Sequence, residues 1–294
     1  MQVWDEIFTM IELDAGDYHL ELCPESGGAV SCFDWRGGPV FRTALGDAPL
    51  ETACFPLVPF SNRIANGRFV WNGQTVSIAP NLDGEAHPLH GFGWHARWEV
   101  INQDGTSVQI EHRRSDDDQW PWEYRAVQRF ALTVNGLTVS LSLQNLSAMP
   151  MPAGVGFHPY FPCDADTVYL GLHRGEWSTG PSSLPTALHQ AAEPMDWWNA
   201  APVAARNVDT VYTGREGPLE LFWPSRHRML RIAPSANLPF TVVYTPRGAD
   251  YFCIEPVSHM TDAVNRGEAG TGLVTLAPGE LMEVSMSLEM FEYA

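Results

Sequence analysis

The chain has 294 residues, an apolar share of 45% and a formal charge of −18 at neutral pH. Length and apolar content suit one large domain over residues 1–294, and the acidic excess disfavours nucleic acid or anionic membranes as partners. All 17 basic side chains are arginine, so lysine Schiff-base chemistry, a pyridoxal anchor and a phosphate-loop lysine are excluded.

In chain order, the opening stretch MQVWDEIFTMIELDAGDYHL lacks the basic and apolar regions of a secretory signal. Cys23, Cys32, Cys54, Cys163 and Cys253 form no Cys-x-x-Cys pair. An odd, scattered count reads as reduced thiols in a cytoplasmic protein, and a zinc site built on cysteine ligands is not expected. FVWNGQTVSI sets Asn72-Gly73 between β-favouring runs, which predicts a type I′ hairpin. ALTVNGLTVSLSL repeats the signal at Asn135-Gly136, with Leu137, Val139, Leu141 and Leu143 alternating beyond it. RRSDDDQWPWEY (113–124) and GEAGTG (267–272) read as exposed connections. SSLPTALHQAAEPMDWW is expected to hold a turn or two of helix. RMLRIAP and PFTVVYTP read as short strands, and APGELMEVSMSLEMF as a Pro278-Gly279 turn followed by a last strand. Many short strands with turn signals between them predict an all-β protein, a sandwich or a barrel.

Four stretches gather polar residues among Gly, Pro and aromatics. In FPLVPFSNRIANGRF, Arg63 leaves an apolar run as a structural ion-pair partner or as a fork for oxygen ligands. HPLHGFGWHARW carries His87, His90 and His95 beside Trp94 and Trp98. Its glycines and proline make it a loop, which disfavours metal ligation from a helix face and suits contact with a sugar. GVGFHPYF holds His158 next to Pro159, hence on extended backbone, as a structural or an oriented catalytic group. YFCIEPVSHMTDAVNR places Glu255 at the end of an apolar run, where a carboxylate is costly unless paired or used. There is no Gly-x-Ser-x-Gly elbow and no phosphate-cradling glycine loop.

NRIANGRFVWNG, LHGFGW, GFHPYF, CIEPVSHMTDAVN and LAPGE occur in the order found in the aldose 1-epimerases, or galactose mutarotases, and the chain resembles that family from about residue 50 onward. The resemblance implies a large antiparallel β-sandwich with the sugar on a concave face. It implies that His158 is the acid at the ring oxygen and Glu255 the base at the anomeric hydroxyl. Arg63 and His90 correspond to groups that bind or polarise sugar oxygens, and Asp209 to a hydroxyl-binding aspartate. No cofactor and no catalytic metal are implied; the partner is a small aldohexose such as galactose or glucose, and the protein is a monomer or homodimer. Mutarotation opens and recloses a cyclic hemiacetal. A histidine with an ordinary pKa of about 6.5 and a glutamate whose pKa is raised by burial suit its two proton transfers. Three other readings stay open. One is a hexose-6-phosphate mutarotase with Arg42, Arg68, Arg97 or Arg266 near the site. The others are a non-catalytic carbohydrate-binding protein and a glycosidase pairing Glu255 with Asp209.

Overall fold

The structure, a computed structural model, describes residues 10–267 and 269–293. Among them are 21 strands and six short 3₁₀ turns, with no α-helix. All strand ladders are antiparallel. One run of paired strands goes from Ile11–Ala15, Tyr18–Cys23 and Ala29–Trp35 through Cys54–Leu57 and Gly156–Pro162. It continues through Tyr251–Val257 and Phe240–Tyr244 to the start of Asp209–Trp223. A second run goes from Glu99–Gln103 through Ser107–Arg114, Tyr124–Thr133, Gly136–Asn145 and Leu281–Glu292. Arg228–Pro234 joins it to the far end of the same Asp209–Trp223 strand. That strand is 15 residues long. Its first residues pair with Phe240–Tyr244 and its last with Arg228–Pro234, so one strand ties the two layers of the sandwich.

Period-two alternation builds the core. Leu137, Val139, Leu141 and Leu143 are buried while Thr138, Ser140, Ser142 and Gln144 face outward. They join Leu20, Phe33, Phe161, Leu230 and Met286 in the main apolar cluster between the layers. The first layer is also covered on its other side. Phe157 and Phe161 point into the main core, whereas Tyr160 of the same strand belongs to a second cluster with Phe55, Leu57, Val211, Phe240, Val242, Cys253 and Val257. His158, Glu255 and Asp209 share the parity of that second set, so alternation alone brings them to one face.

The hairpin at Asn72-Gly73 forms as expected, with φ of 49° and 79° at its two turn residues. The second hairpin forms one residue out of step. Thr133 pairs with Gly136, so Val134 and Asn135 make the turn and Gly136, at φ 136°, opens the next strand. The expected helix is instead the strand Pro185–Asp196. It pairs along Val168–Thr179, and that ladder overrides the helix-favouring Ala, Leu and Gln content; Pro185 and Pro194 also suit a sheet edge better than a helix. RMLRIAP and PFTVVYTP are strands as expected; of the 113–124 stretch, residues 115–123 form a loop whose Trp120 and Trp122 are buried, while Arg113, Arg114 and Tyr124 belong to the flanking strands. The 267–272 connection contains residue 268, which lies outside the described residues.

Candidate active site

Gly156 pairs with Val257, and Tyr160 with Cys253. That register puts His158 opposite Glu255 on neighbouring strands, with both side chains on the same face. His158 Nε2 lies 3.3 Å from Glu255 Oε1, and the two side chains are only 7% and 2% exposed. The other atoms of the pair, His158 Nδ1 and Glu255 Oε2, have no hydrogen-bond partner among the described residues. Buried polar atoms left this way are costly unless a ligand completes them. Burial pushes the His158 pKa down to about 3, with Arg42 acting in the same direction. Burial pushes Glu255 well above the ordinary carboxylate range, and the nearby Asp209 adds to the shift. The expected rise at Glu255 is present. The ordinary value near neutrality expected for His158 is not, because the imidazole is sealed between Phe55 and Tyr160, with ring centroids at 4.5 and 4.7 Å.

His90 closes one side of this pair, its ring set edge-on to His158 at 5.1 Å. The backbone N–H of Asn62 donates to His90 Nδ1 at 3.2 Å, so in the neutral ring the proton must sit on Nε2. Burial and the neighbouring His158 hold the His90 pKa well below its usual value, so the ring is a neutral Nε2–H donor. Two loops zip together to place it. His90 N–H donates to Asn62 O, and Arg63 and Val58 form isolated bridges with Leu89 and Gly91. Gly91 has φ 72°, and a Cβ there would sit 2.2 Å from the Val58 carbonyl oxygen, so only glycine fits.

Arg63 emerges from the same zipper. Its guanidinium donates to Asp209 at 2.9 Å and to Glu85 at 3.2 and 3.3 Å. The VSHMTDAVN segment holds the Arg63 backbone in place. Asp262 N–H donates to Arg63 O, Asp262 Oδ1 accepts from Ala65 N–H, and His259 Nε2 accepts from Ser61 N–H. Asp209 is drawn up by burial and down by Arg63, with a net rise.

These side chains line a cavity of about 190 Å³ together with Leu50, Asn62, Leu82, Leu89, Tyr160, Tyr244 and Tyr251. All five residues predicted from sequence are in it. Glu85 and the tyrosines were not predicted. Tyr160 and Tyr251 share strand parity with His158 and Glu255 and were legible on that ground; Glu85, in a polar turn, carries no sequence signal. The three histidines of the 87–98 loop diverge: His87 accepts from Asn66 N–H, His90 faces the cavity and His95 stacks on Trp94. Arg42, Arg68, Arg97 and Arg266 are absent from the cavity lining. Arg42 lies over the Tyr160 ring and donates to the carbonyls of Thr52 and Leu50; Arg97 pairs with Glu25, and Arg266 donates to Pro185 O. Of the two carboxylates in the glycosidase reading, Glu255 meets His158 while Asp209 meets Arg63.

An antiparallel sandwich with a buried histidine–glutamate pair on the outer face of one layer has the galactose mutarotase-like fold. The model of the aldose 1-epimerase family matches residues 11–289. YphB of Escherichia coli (strain K12), an uncharacterized protein, is 33% identical over 96% of this chain and 99% of its own length. The crystal structure of a provisionally named aldose 1-epimerase from Escherichia coli K12 superposes with a TM-score of 0.90 at 30% identity, covering 97% of this chain and 100% of that one. A galactose mutarotase-like protein from Clostridium acetobutylicum shares the fold, with a TM-score of 0.86 at 20% identity over 100% of this chain and 98% of that one. The chain belongs to the aldose 1-epimerase family and is an isomerase. No helix among the described residues is long and apolar enough to cross a membrane.

Proposed function

We propose that the protein is a mutarotase for a free aldohexose, with His158 and Glu255 as its acid–base pair. The carrying observation is the 3.3 Å contact of these two buried groups at the cavity wall. The pair holds one proton over the neutral range. Burial favours the uncharged arrangement, imidazole with carboxylic acid, before sugar binds. Sugar hydroxyls bonded to the pair supply the missing solvation and admit the charged arrangement, imidazolium with carboxylate. From there His158 gives its proton to the ring oxygen while Glu255 takes the anomeric proton. The ring C1–O bond breaks as C1 becomes a carbonyl, and the pair returns to its uncharged arrangement. Rotation about C1–C2 and the reverse transfers close the ring on the other face. Arg63 and the His90 Nε2–H are donors for oxygens that gain charge on opening. Asp209 holds hydroxyls, and the tyrosines cover the C–H faces of the sugar.

Charge supports a free rather than a phosphorylated substrate. The one guanidinium in the cavity wall is already shared by the carboxylates of Glu85 and Asp209. Five unpaired cysteines support a reducing, cytoplasmic setting, and the continuous strand network supports one domain. The test is polarimetry on freshly dissolved α-D-glucose, α-D-galactose and their 6-phosphates. Faster equilibration of the free sugars, with a loss of about 10²–10⁴-fold in His158→Ala and in Glu255→Gln, is the expected result. Wild-type rates in Glu255→Gln would refute the base assignment. Preference for a phosphate would overturn the free-sugar reading, and sugar binding without acceleration would favour a binding protein.

A further inference from the structure

The outward face of the first three strands carries a group of side chains that the sugar site does not use. Ile11, Leu13, Tyr18, Leu20, Leu22 and Phe33 turn into the core. Alternation therefore turns Glu12, Asp14, His19, Glu21, Cys32 and Asp34 the other way. Register sets them in two rows: Glu12 beside Glu21 beside Cys32, and Asp14 beside His19 beside Asp34. A ring nitrogen of His19, a carboxylate oxygen of Glu21 and Cys32 Sγ all lie within 4.8 Å of one another, and all three residues are half-buried. His19 Nδ1 is 2.8 Å from Asp14 Oδ1, and its Nε2 is 3.1 Å from Glu21 Oε1.

We propose that His19, Glu21 and Cys32 form a site for a zinc-like divalent cation, with Asp14 as the carboxylate that orients His19. Cys32 has no cysteine neighbour in sequence, so this ligand set is invisible there; strand pairing assembles it. A mixed nitrogen, oxygen and sulfur set suits Zn²⁺ and its borderline relatives and not Mg²⁺ or Ca²⁺, which take oxygen. Tetrahedral bonds of about 2.0–2.3 Å place ligand atoms roughly 3.3–3.8 Å apart. Groups already within 4.8 Å reach that spacing by small side-chain rotations, with the backbone fixed by ladders on both sides. Asp14 on Nδ1 leaves Nε2 directed at Glu21, the tautomer that metal-bound histidines take when a carboxylate holds the other ring N–H. Water or Asp34, beside Cys32, completes the fourth position. Ion pairing alone accounts for the histidine between two carboxylates but not for the thiol against them. On binding, the thiol proton and the proton between His19 Nε2 and Glu21 pass to buffer as the sulfur–metal and nitrogen–metal bonds form, and nothing is oxidised or reduced.

The test uses the untagged full chain and Co²⁺ as a spectroscopic stand-in for Zn²⁺. One equivalent of Co²⁺ is expected to give a thiolate-to-metal charge-transfer band that Zn²⁺ abolishes. Cys32→Ser is expected to lose the band, and Asp14→Asn to keep it while binding about 10–100-fold more weakly. Circular dichroism and thermal unfolding of both variants establish that they fold, independently of any sugar turnover. No charge-transfer band in the wild type, the same band in folded Cys32→Ser, or unchanged affinity in Asp14→Asn would each overturn the site as described.

Discussion

Arg63 is held by two carboxylates carried on different kinds of backbone, and the difference separates their roles. Both line the cavity, with side chains 26% and 31% exposed, but Asp209 opens a strand whereas Glu85 sits in a loop. Glu85→Gln is expected to raise KM a few fold with kcat nearly kept, because Asp209 still aligns the guanidinium. Asp209→Asn is expected to lower kcat/KM by at least tenfold, and steady-state polarimetry reads both. On the proposed mechanism, the proton shared by His158 and Glu255 sets the pH profile. The pair keeps it from about pH 3, where the imidazole titrates, up to the raised pKa of Glu255. The rate should therefore be flat through the mildly acidic range and fall on the alkaline side once that proton is lost. A profile that already falls as pH drops below 6.5 would contradict this.

Buried neutral histidines also govern acid stability. His112, His173 and His259 are each pushed by burial down to about 4. The unfolded chain takes up these protons near pH 6.5 and the folded chain only near 4. Stability is thus fully present above pH 6.5 and is lost as pH falls toward 4, by about 1.4 kcal/mol per pH unit for each histidine. The raised Glu255 acts in the opposite sense above pH 4.5 and offsets part of the slope. Urea midpoints between pH 4 and 8 measure the net effect.

At the scale of elements, the two turn glycines Gly73 and Gly91 are both left-handed but differ in what surrounds them. Nothing lies within 4 Å of a Cβ built at Gly73, whereas at Gly91 it meets Val58 O at 2.2 Å. Gly73→Ala should cost about 1–2 kcal/mol of backbone strain and leave turnover unchanged. Gly91→Ala should cost more and also lower kcat, because His90 is carried by the same turn. Strand identity and facing were legible in the sequence wherever alternation was clean, as in residues 137–143. The strand Pro185–Asp196 was not legible, because its identity comes from the neighbour it pairs with and not from its own residues. The Val134-Asn135 turn was displaced for a related reason: the register of the long ladder to Leu281–Glu292 decides where Gly136 falls. The site was legible in part. His158 and Glu255 could be named as residues of interest, but the fact that they face each other depends on two strands nearly a hundred residues apart.

At the scale of the whole molecule, the Asp209–Trp223 strand couples the layers. Its first residue carries the Arg63 contact and its last turns pack in the main core through Leu219, Leu221 and Trp223. Cutting one of these to a smaller side chain, as in Leu221→Ala, should destabilise by about 2–5 kcal/mol. Because both layers share the strand, loss of activity and loss of global structure should coincide in a denaturant titration. Separate transitions would mean that the layers unfold independently.

The cavity's cation also has a bearing on chemical self-protection. An open-chain aldose is an electrophilic aldehyde, and side-chain amines condense with it. The chain contains no lysine, and the one cation in the cavity lining is a guanidinium clasped by Asp209 and Glu85. It can hydrogen-bond the carbonyl but stays protonated and so is a poor nucleophile toward it. On the proposed function, the protein works beside freshly opened sugars and is in this way built almost free of glycation targets. Prolonged incubation with concentrated glucose and borohydride should leave the mass of the catalytic cavity's peptides unchanged.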